Sequence, residues 1–155
     1  MGMCLRYAAN RAEAEDMLQE SFIKIFFAIR NFSGIGSFEG WLKKITVNTA
    51  ITYYHANQKF RHYAEIGEYA GSEQEGIGFD ESQFTAEELM NVLNELPAGY
   101  RIVFNLYAIE GFMHREIADM LGIDAGTSKS QYSRARAVIR EKLVKLERTK
   151  GRYRY

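Results

Sequence analysis

The sequence predicts an all-α protein of two small helical domains joined by a flexible acidic linker, the second domain containing a helix-turn-helix. Three observations predict it. Apolar residues recur every three or four positions through most of the chain, as in amphipathic helices, and no alternating run of useful length competes as a strand. Between residues 61 and 84 that periodicity disappears: glycines stand at 67, 71, 76 and 78, and one Arg is set against six acidic residues, a balance of −5. Near the C-terminus two helical patterns are separated only by a turn centred on Gly122. The expected organisation is therefore a first domain over 1–60, a linker over 61–84, a second domain over 85–150 and a basic tail over 151–155.

Composition excludes several classes. The chain has 155 residues, 46% of them hydrophobic, which is ample for folded domains. No apolar run approaches the roughly 20 residues that cross a bilayer, and the N-terminus lacks a basic segment followed by an apolar signal core. No membrane insertion is expected, and a cytoplasmic location follows by default. Cys4 is the single cysteine, and His55, His62 and His114 are scattered. No disulfide, metal site or cofactor is expected from them. Nor does the chain carry a Gly-rich phosphate loop, a paired-carboxylate site or a nucleophile–base constellation, so an enzyme is not expected.

Taken in order, Asn10 followed by Glu13 resembles a capping box and predicts a helix from about Arg11. Leu18, Phe22, Ile25 and Ile29 give it a buried stripe, leaving Asp16, Gln19, Glu20 and Lys24 outside. That acidic-polar face is either ordinary dipole complementarity or a docking face for a basic partner. The stretch 31–40, NFSGIGSFEG, breaks the helix. A second helix is expected from Trp41 to about Lys59, with Leu42, Ile45, Ala50 and Tyr53 inside and Lys43, Lys44, Asn48, Thr52, His55 and Lys59 outside. A glycine-rich aromatic loop feeding a basic helix fits single-stranded nucleic acid, whose bases stack on aromatic rings. Taken alone, Phe38 and Trp41 fit a core better than a contact.

Thr85 is an expected N-cap, with Glu88 completing a capping box, and Leu89, Val92, Leu93 and Leu96 form the inner face of the helix that follows. Pro97 restarts the chain, and Ile102, Val103, Leu106 and Tyr107 mark another amphipathic helix ending before Gly111. Ile117, Ala118 and Leu121 then form one buried side, Gly122 stops that helix, and Asp124 caps the next through Thr127. In the last helix Tyr132, Ala135, Ile139, Leu143 and Leu146 fall within a narrow arc and should pack on the first.

The opposite side of that helix carries Lys129, Ser130, Ser133, Arg136 and Arg140, with Arg134 on its flank. From Thr127 onward ten Lys or Arg stand against two Glu, a balance of +8, although the whole chain has a formal charge of +0. Basicity is concentrated there. A helix of this kind fits the major groove, where Arg or Lys bonds guanine and Ser is an adaptable donor or acceptor. The same charges would also suit a merely solvated face.

Four stretches in register carry a wider resemblance: AEDMLQESFIKIF at 14–26, SFEGWLKKITVNTAI at 37–51, LPAGYRIVFNLYAIEG at 96–111 and HREIADMLGIDAGTSKSQYSRAR at 114–136. Together they resemble the bacterial RNA polymerase sigma factors of the extracytoplasmic-function (ECF) group, within the sigma-70 family. The resemblance implies a promoter-specificity subunit that binds core RNA polymerase through its β′ clamp helices and β flap, reads −35 duplex, and melts and captures −10 DNA. It implies polymerase binding by Asp16, Gln19, Glu20 and Phe22. It implies −10 DNA binding by Phe38, Trp41, Lys44, Asn48 and Thr52. It implies −35 binding by Thr127, Lys129, Ser130, Ser133, Arg134 and Arg136, with an anti-sigma factor as a further partner. The acidic linker is similar to the family segment that threads toward the polymerase active-site and RNA-exit channel.

The chain also departs from the family pattern. It begins inside what would be the family's first helix; Thr52 and His55 stand where an acidic and a basic residue are usual; and Ser128 replaces an apolar residue where the turn packs on the helix. Two other readings stay open on the residues alone. One is a conventional helix-turn-helix regulator acting without core polymerase, and the other is an interaction module that has lost DNA function.

Overall fold

The computed structural model describes the backbone of residues 1–61 and 84–152. The acidic stretch expected as a linker lies, except for its two end residues, outside the described residues, as do residues 153–155 of the expected basic tail. The chain separates into two compact units, Met1–Glu65 and Ile66–Tyr155. Among the described residues every regular element is helical.

The first unit consists of α1 (Gly2–Tyr7), α2 (Arg11–Ala28), a 3-10 turn (Ile29–Asn31) and α3 (Phe38–Arg61). Helices α2 and α3 pack against each other and α1 against both. Cys4, Tyr7, Ala14, Met17, Val47, Ala50 and Ile51 form the core. The expected cap at Asn10 is present: its side chain accepts from the Glu13 amide at 2.9 Å. In return the Glu13 carboxylate accepts from the amide of Ala9 rather than that of Asn10.

The buried face of α2 differs from the expected stripe. Ala14, Met17 and Ser21 are buried, Leu18 and Ile25 are half-buried, and Phe22 and Ile29 are exposed. The inner face is rotated by roughly 70° from the 18–22–25–29 line, less than the 100° step of one residue. The polar member of this face is satisfied within its own helix, since the Ser21 hydroxyl donates to the Met17 carbonyl at 2.8 Å.

Helix α3 begins at Phe38, three residues before the expected Trp41, because Ser37 caps it. Its hydroxyl accepts from the Gly40 amide at 3.2 Å and its carbonyl from the Trp41 amide at 3.0 Å. The inner positions follow expectation, with Ala50 buried and Leu42, Ile45 and Tyr53 half-buried; Val47, Thr49 and Ile51 complete the face.

The second unit runs through α4 (Ala86–Asn94), α5 (Ala98–Phe104), a π turn (Asn105–Ile109), α6 (His114–Leu121) and α7 (Ala125–Arg152). The capping box at the start of α4 forms as expected: Thr85 accepts from the Glu88 amide at 3.2 Å and donates its own amide to the Glu88 carboxylate at 2.8 Å. Phe84, expected at the end of the linker, is instead buried against Val92 and Leu143, so ordered packing starts one residue before the cap. Leu96, Ala135 and Val138 form the adjoining cluster, with Leu93, Phe104 and Ile139 against it. Val138 was not in the expected stripe of α7. It belongs to the cluster on which Tyr100 and Phe104 of α5 pack.

At the end of α5 the chain widens into the π turn. The Glu110 amide reaches back five residues to the Asn105 carbonyl at 3.0 Å, and Gly111 follows at φ 81. This extra residue in the turn displaces Tyr107 from the inner face where periodicity placed it, leaving it 37% exposed.

Candidate nucleic-acid interface

The helix-turn-helix is built by its turn. Gly122 ends α6 in the left-handed conformation, at φ 66 and ψ 35, and the Ile123 amide donates to the Ala118 carbonyl at 3.1 Å. Asp124 then opens α7: its carboxylate accepts from the Thr127 amide at 2.9 Å and from the Thr127 hydroxyl at 2.7 Å. These bonds, the hydroxyl's first, hold the Asp124 carboxyl below its ordinary range. Ile117, Ala118 and Leu121 are buried as expected. The α7 stripe does not pack on α6 along its whole length: Ile139, Leu143 and Leu146 pack instead with Phe84, Leu89 and Val92, because α7, at 28 residues, runs well past the 8 residues of α6.

With that side fixed, Lys129, Ser130, Ser133, Arg134 and Arg136 are all exposed, and their directions fall within one arc of α7. Arg136 lies over the Tyr132 ring, 5.9 Å from its centroid. The hydroxyls of Ser130 and of the half-buried Thr127 are already engaged. The Thr127 hydroxyl donates to Asp124, and that of Ser130 donates to the Thr127 carbonyl at 3.0 Å, leaving their oxygens as acceptors. Arg140, expected on the outer face, is half-buried.

Ser128 is fully buried, and its hydroxyl meets His114 Nδ1 at 2.9 Å. The His114 ring lies flat on Tyr107, with centroids 4.2 Å apart at 9°, and beside Tyr132 at 5.9 Å. Burial, and secondarily the Lys129 charge, hold the His114 pKa below the usual histidine range. Sequence reasoning assigned His114 no role. Its signal was the polar Ser128 at a position that calls for an apolar side chain.

In the first unit the loop after the 3-10 turn uses Gly34 at φ 72 and Gly36 at φ 86 to fold back on itself. The fold-back brings Phe32, Phe38 and Trp41 into one aromatic cluster, with centroid separations of 5.3, 5.3 and 5.7 Å. Phe38 is exposed and Trp41 half-buried, so neither belongs to the core. From Trp41 the exposed positions Lys44, Asn48, Thr52 and His55 continue along one face of α3 at three- and four-residue steps. Trp41 to Thr52 covers about 16 Å at 1.5 Å per residue.

The outward face of α2 has two halves. Its N-terminal half presents Asp16 and Gln19 with Glu20, whose carboxylate pairs with Lys24 at 2.6 Å; chiefly that hydrogen bond holds the Glu20 pKa down. Its C-terminal half presents Phe22, Ile23, Phe26 and Phe27, exposed by 62, 57, 74 and 76%. The last three were not among the expected site residues. Their signal was in the sequence, because apolar residues at 22, 23, 25, 26, 27 and 29 spread over an arc of about 200° at 100° per residue, more than one face can bury.

Such a helix-turn-helix with an outward basic helix defines a DNA-binding protein, and comparison with known proteins places its class. Residues 1–60 match the family model for sigma-70 region 2, and residues 86–139 match that for sigma-70 region 4. Among curated relatives, the ECF RNA polymerase sigma factor SigE of Mycolicibacterium smegmatis is 32% identical, over 92% of this chain and 56% of its own length. The ECF RNA polymerase sigma-E factor of Haemophilus influenzae is 30% identical over 94% of this chain and 82% of its own. The chain thus spans little more than half of the first relative and about four-fifths of the second. A solved structure of the Bartonella quintana sigma factor RpoE, in complex with the anti-sigma factor NepR, has the same fold. It aligns at a TM-score of 0.58 and 24% identity, over 92% of this chain and 88% of that one. The chain belongs to the ECF RNA polymerase sigma factors.

Proposed function

We propose that this chain is a promoter-specificity subunit that binds core RNA polymerase and directs transcription initiation from two-part promoters. The observation that carries this reading is the pairing of a region 4 helix-turn-helix, basic on its outer face, with a region 2 unit whose α2 keeps a large apolar face uncovered. A regulator acting alone has no need of that second surface.

In this reading Lys129, Ser130, Ser133, Arg134 and Arg136, with Thr127 at the rim, read the −35 duplex. A well-placed bidentate pair discriminates against a wrong base by roughly 1–3 kcal/mol. Phe38 and Trp41 offer stacking faces to unpaired −10 bases, and Lys44, Asn48 and Thr52 continue the track along α3. Capture of single-stranded DNA has to offset unpairing, a few kcal/mol for each extruded base, and stacking is of the right size to do so. Asp16, Gln19, Glu20 and Phe22 bind the β′ clamp helices: the acidic half of α2 meets basic side chains, and the aromatic half supplies the buried anchor. Region 4 engages the β flap.

The chain acts by differential binding and makes or breaks no bond itself. It works in the cytoplasm, where polymerase and chromosome are, and no helix among the described residues is long and apolar enough to cross a membrane. An anti-sigma factor is a further partner, as NepR is of RpoE.

The test is affinity for core polymerase, measured with fluorescently labelled chain. Phe22→Ala removes an exposed side chain, so the melting temperature should hold while affinity falls about tenfold or more, the effect of losing an interface anchor. Unchanged affinity for both Phe22→Ala and Asp16→Ala, together with tight duplex binding in the absence of polymerase, would support the conventional regulator instead.

A further inference from the structure

The helix-turn-helix contains a polar joint that its packing does not require. Ser128 lies in the first turn of α7, its amide bonded to the Asp124 carbonyl at 3.1 Å and its side chain wholly out of solvent. A buried hydroxyl is costly unless it is paired, and here its partner is the first residue of α6. The bond to His114 Nδ1, at 2.9 Å, therefore ties the N-terminal ends of the two helices together. An apolar pair would hold them with similar area and little directional preference, whereas a hydrogen bond fixes both a distance and an angle.

The His114 ring is itself held. Tyr107 of the π turn stacks on it at 4.2 Å, and Tyr107 also packs on Tyr132 at 4.6 Å. Tyr132 lies one turn beyond Ser128 on α7, and Arg136 one turn further stands over the Tyr132 ring. The π turn, α6 and the groove-facing helix are thus fastened along a single line. Lys129, Ser130 and Ser133 project from the same two turns of α7 that this line grips. Base readout tolerates displacements of only about 0.5 Å, so whatever sets the roll of these turns also sets which base edges the side chains reach.

We infer that His114 is a positioning residue for −35 recognition, setting the pose of the reading helix through Ser128 and so narrowing the range of −35 sequences accepted. The inference rests on the promoter-specificity reading. His114 touches no base in this scheme; it acts through Ser128 and Tyr132.

The experiment is transcription by core polymerase with the full chain on promoters whose −35 positions are randomised, at matched holoenzyme concentration. His114→Phe keeps the ring and its stacking but removes the bond, Ser128→Val removes it from the other side, and His114→Asn keeps a polar atom near the place of Nδ1. The preference for the best −35 sequences over single mismatches should fall roughly tenfold, the discrimination of about one bidentate pair, in His114→Phe and Ser128→Val. It should be largely retained in His114→Asn, with affinity for core polymerase unchanged in all three. Should Ser128→Val fail to fold, the comparison of His114→Phe with His114→Asn decides, because His114 is only partly buried. A −35 preference identical to wild type in His114→Phe, with total transcription changed only in proportion to folded protein, would overturn the inference and leave the bond a structural contact. A wild-type chain that binds core yet shows no −35 preference would overturn the promoter-specificity reading and the inference together.

Discussion

Single side chains decide where the helices of this protein begin, and the sequence made most of those decisions visible. Asn10, Thr85 and Asp124 are short acceptors placed before an amphipathic run, and each accepts the amide three residues on, at 2.9, 3.2 and 2.9 Å. The start of α6 is less well made. The Met113 amide donates to the Glu116 carboxylate at 2.7 Å, but Met113 has no side-chain oxygen to complete the pair. Met113→Ser should therefore stabilise the chain and Thr85→Ala destabilise it, each by about 1 kcal/mol, read as opposite shifts of the denaturant midpoint. His114 beside it was illegible as a functional residue, since its value depends on Ser128, fourteen positions away, and on a stack made possible by the π turn. Burial holds the His114 pKa down, so the unfolded chain binds a proton more readily than the folded one. Its contribution to stability is complete above the ordinary histidine pKa of 6.5 and is lost as pH falls below it. Thermal melts between pH 7.5 and 5.5 should show a steeper loss for the wild type than for His114→Asn.

Among the elements, legibility followed the strength of the periodic signal. Helices α4, α6 and α7 each have one apolar stripe and a polar remainder, and their expected inner residues are at least half-buried. Helix α2 misled because its apolar residues spread over more than one face can bury. Periodicity predicts a core line of large side chains, Phe22 and Ile29 among them, whereas the packed face is the Ala14–Met17–Ser21 line. That failure coincides with the proposed polymerase face, as expected where a surface must stay apolar for a partner rather than for the fold. The π turn was missed because no periodic pattern encodes one extra residue in a helical turn. The α6–α7 turn, by contrast, was readable down to Gly122, whose φ of 66 is reached cheaply only without a Cβ. Gly122→Ala meets open space around the added methyl, so its cost is backbone strain alone, about 1–2 kcal/mol. Equilibrium unfolding of that variant against wild type measures it.

Across the whole sequence the formal charge of +0 conceals a segregated distribution, with a balance of −5 over residues 61–84 and of +8 from Thr127 onward. Under the proposed function, phosphate contacts by the basic helix would give affinity without sequence choice and make it strongly salt-dependent, and the outward side chains near its start would supply the choice. Neither unit's surface alone implies the other's, yet both were legible as four sequence stretches in register, and the family models match the same two halves. The most direct test of the central claim is run-off transcription by core polymerase, with and without the chain, on a library of genomic promoters. The account predicts selective transcripts that appear only with the chain and are lost with Asp16→Ala or Arg134→Ala. A folded chain that binds core polymerase and yields no selective transcript, or transcripts indifferent to Arg134→Ala, would contradict it.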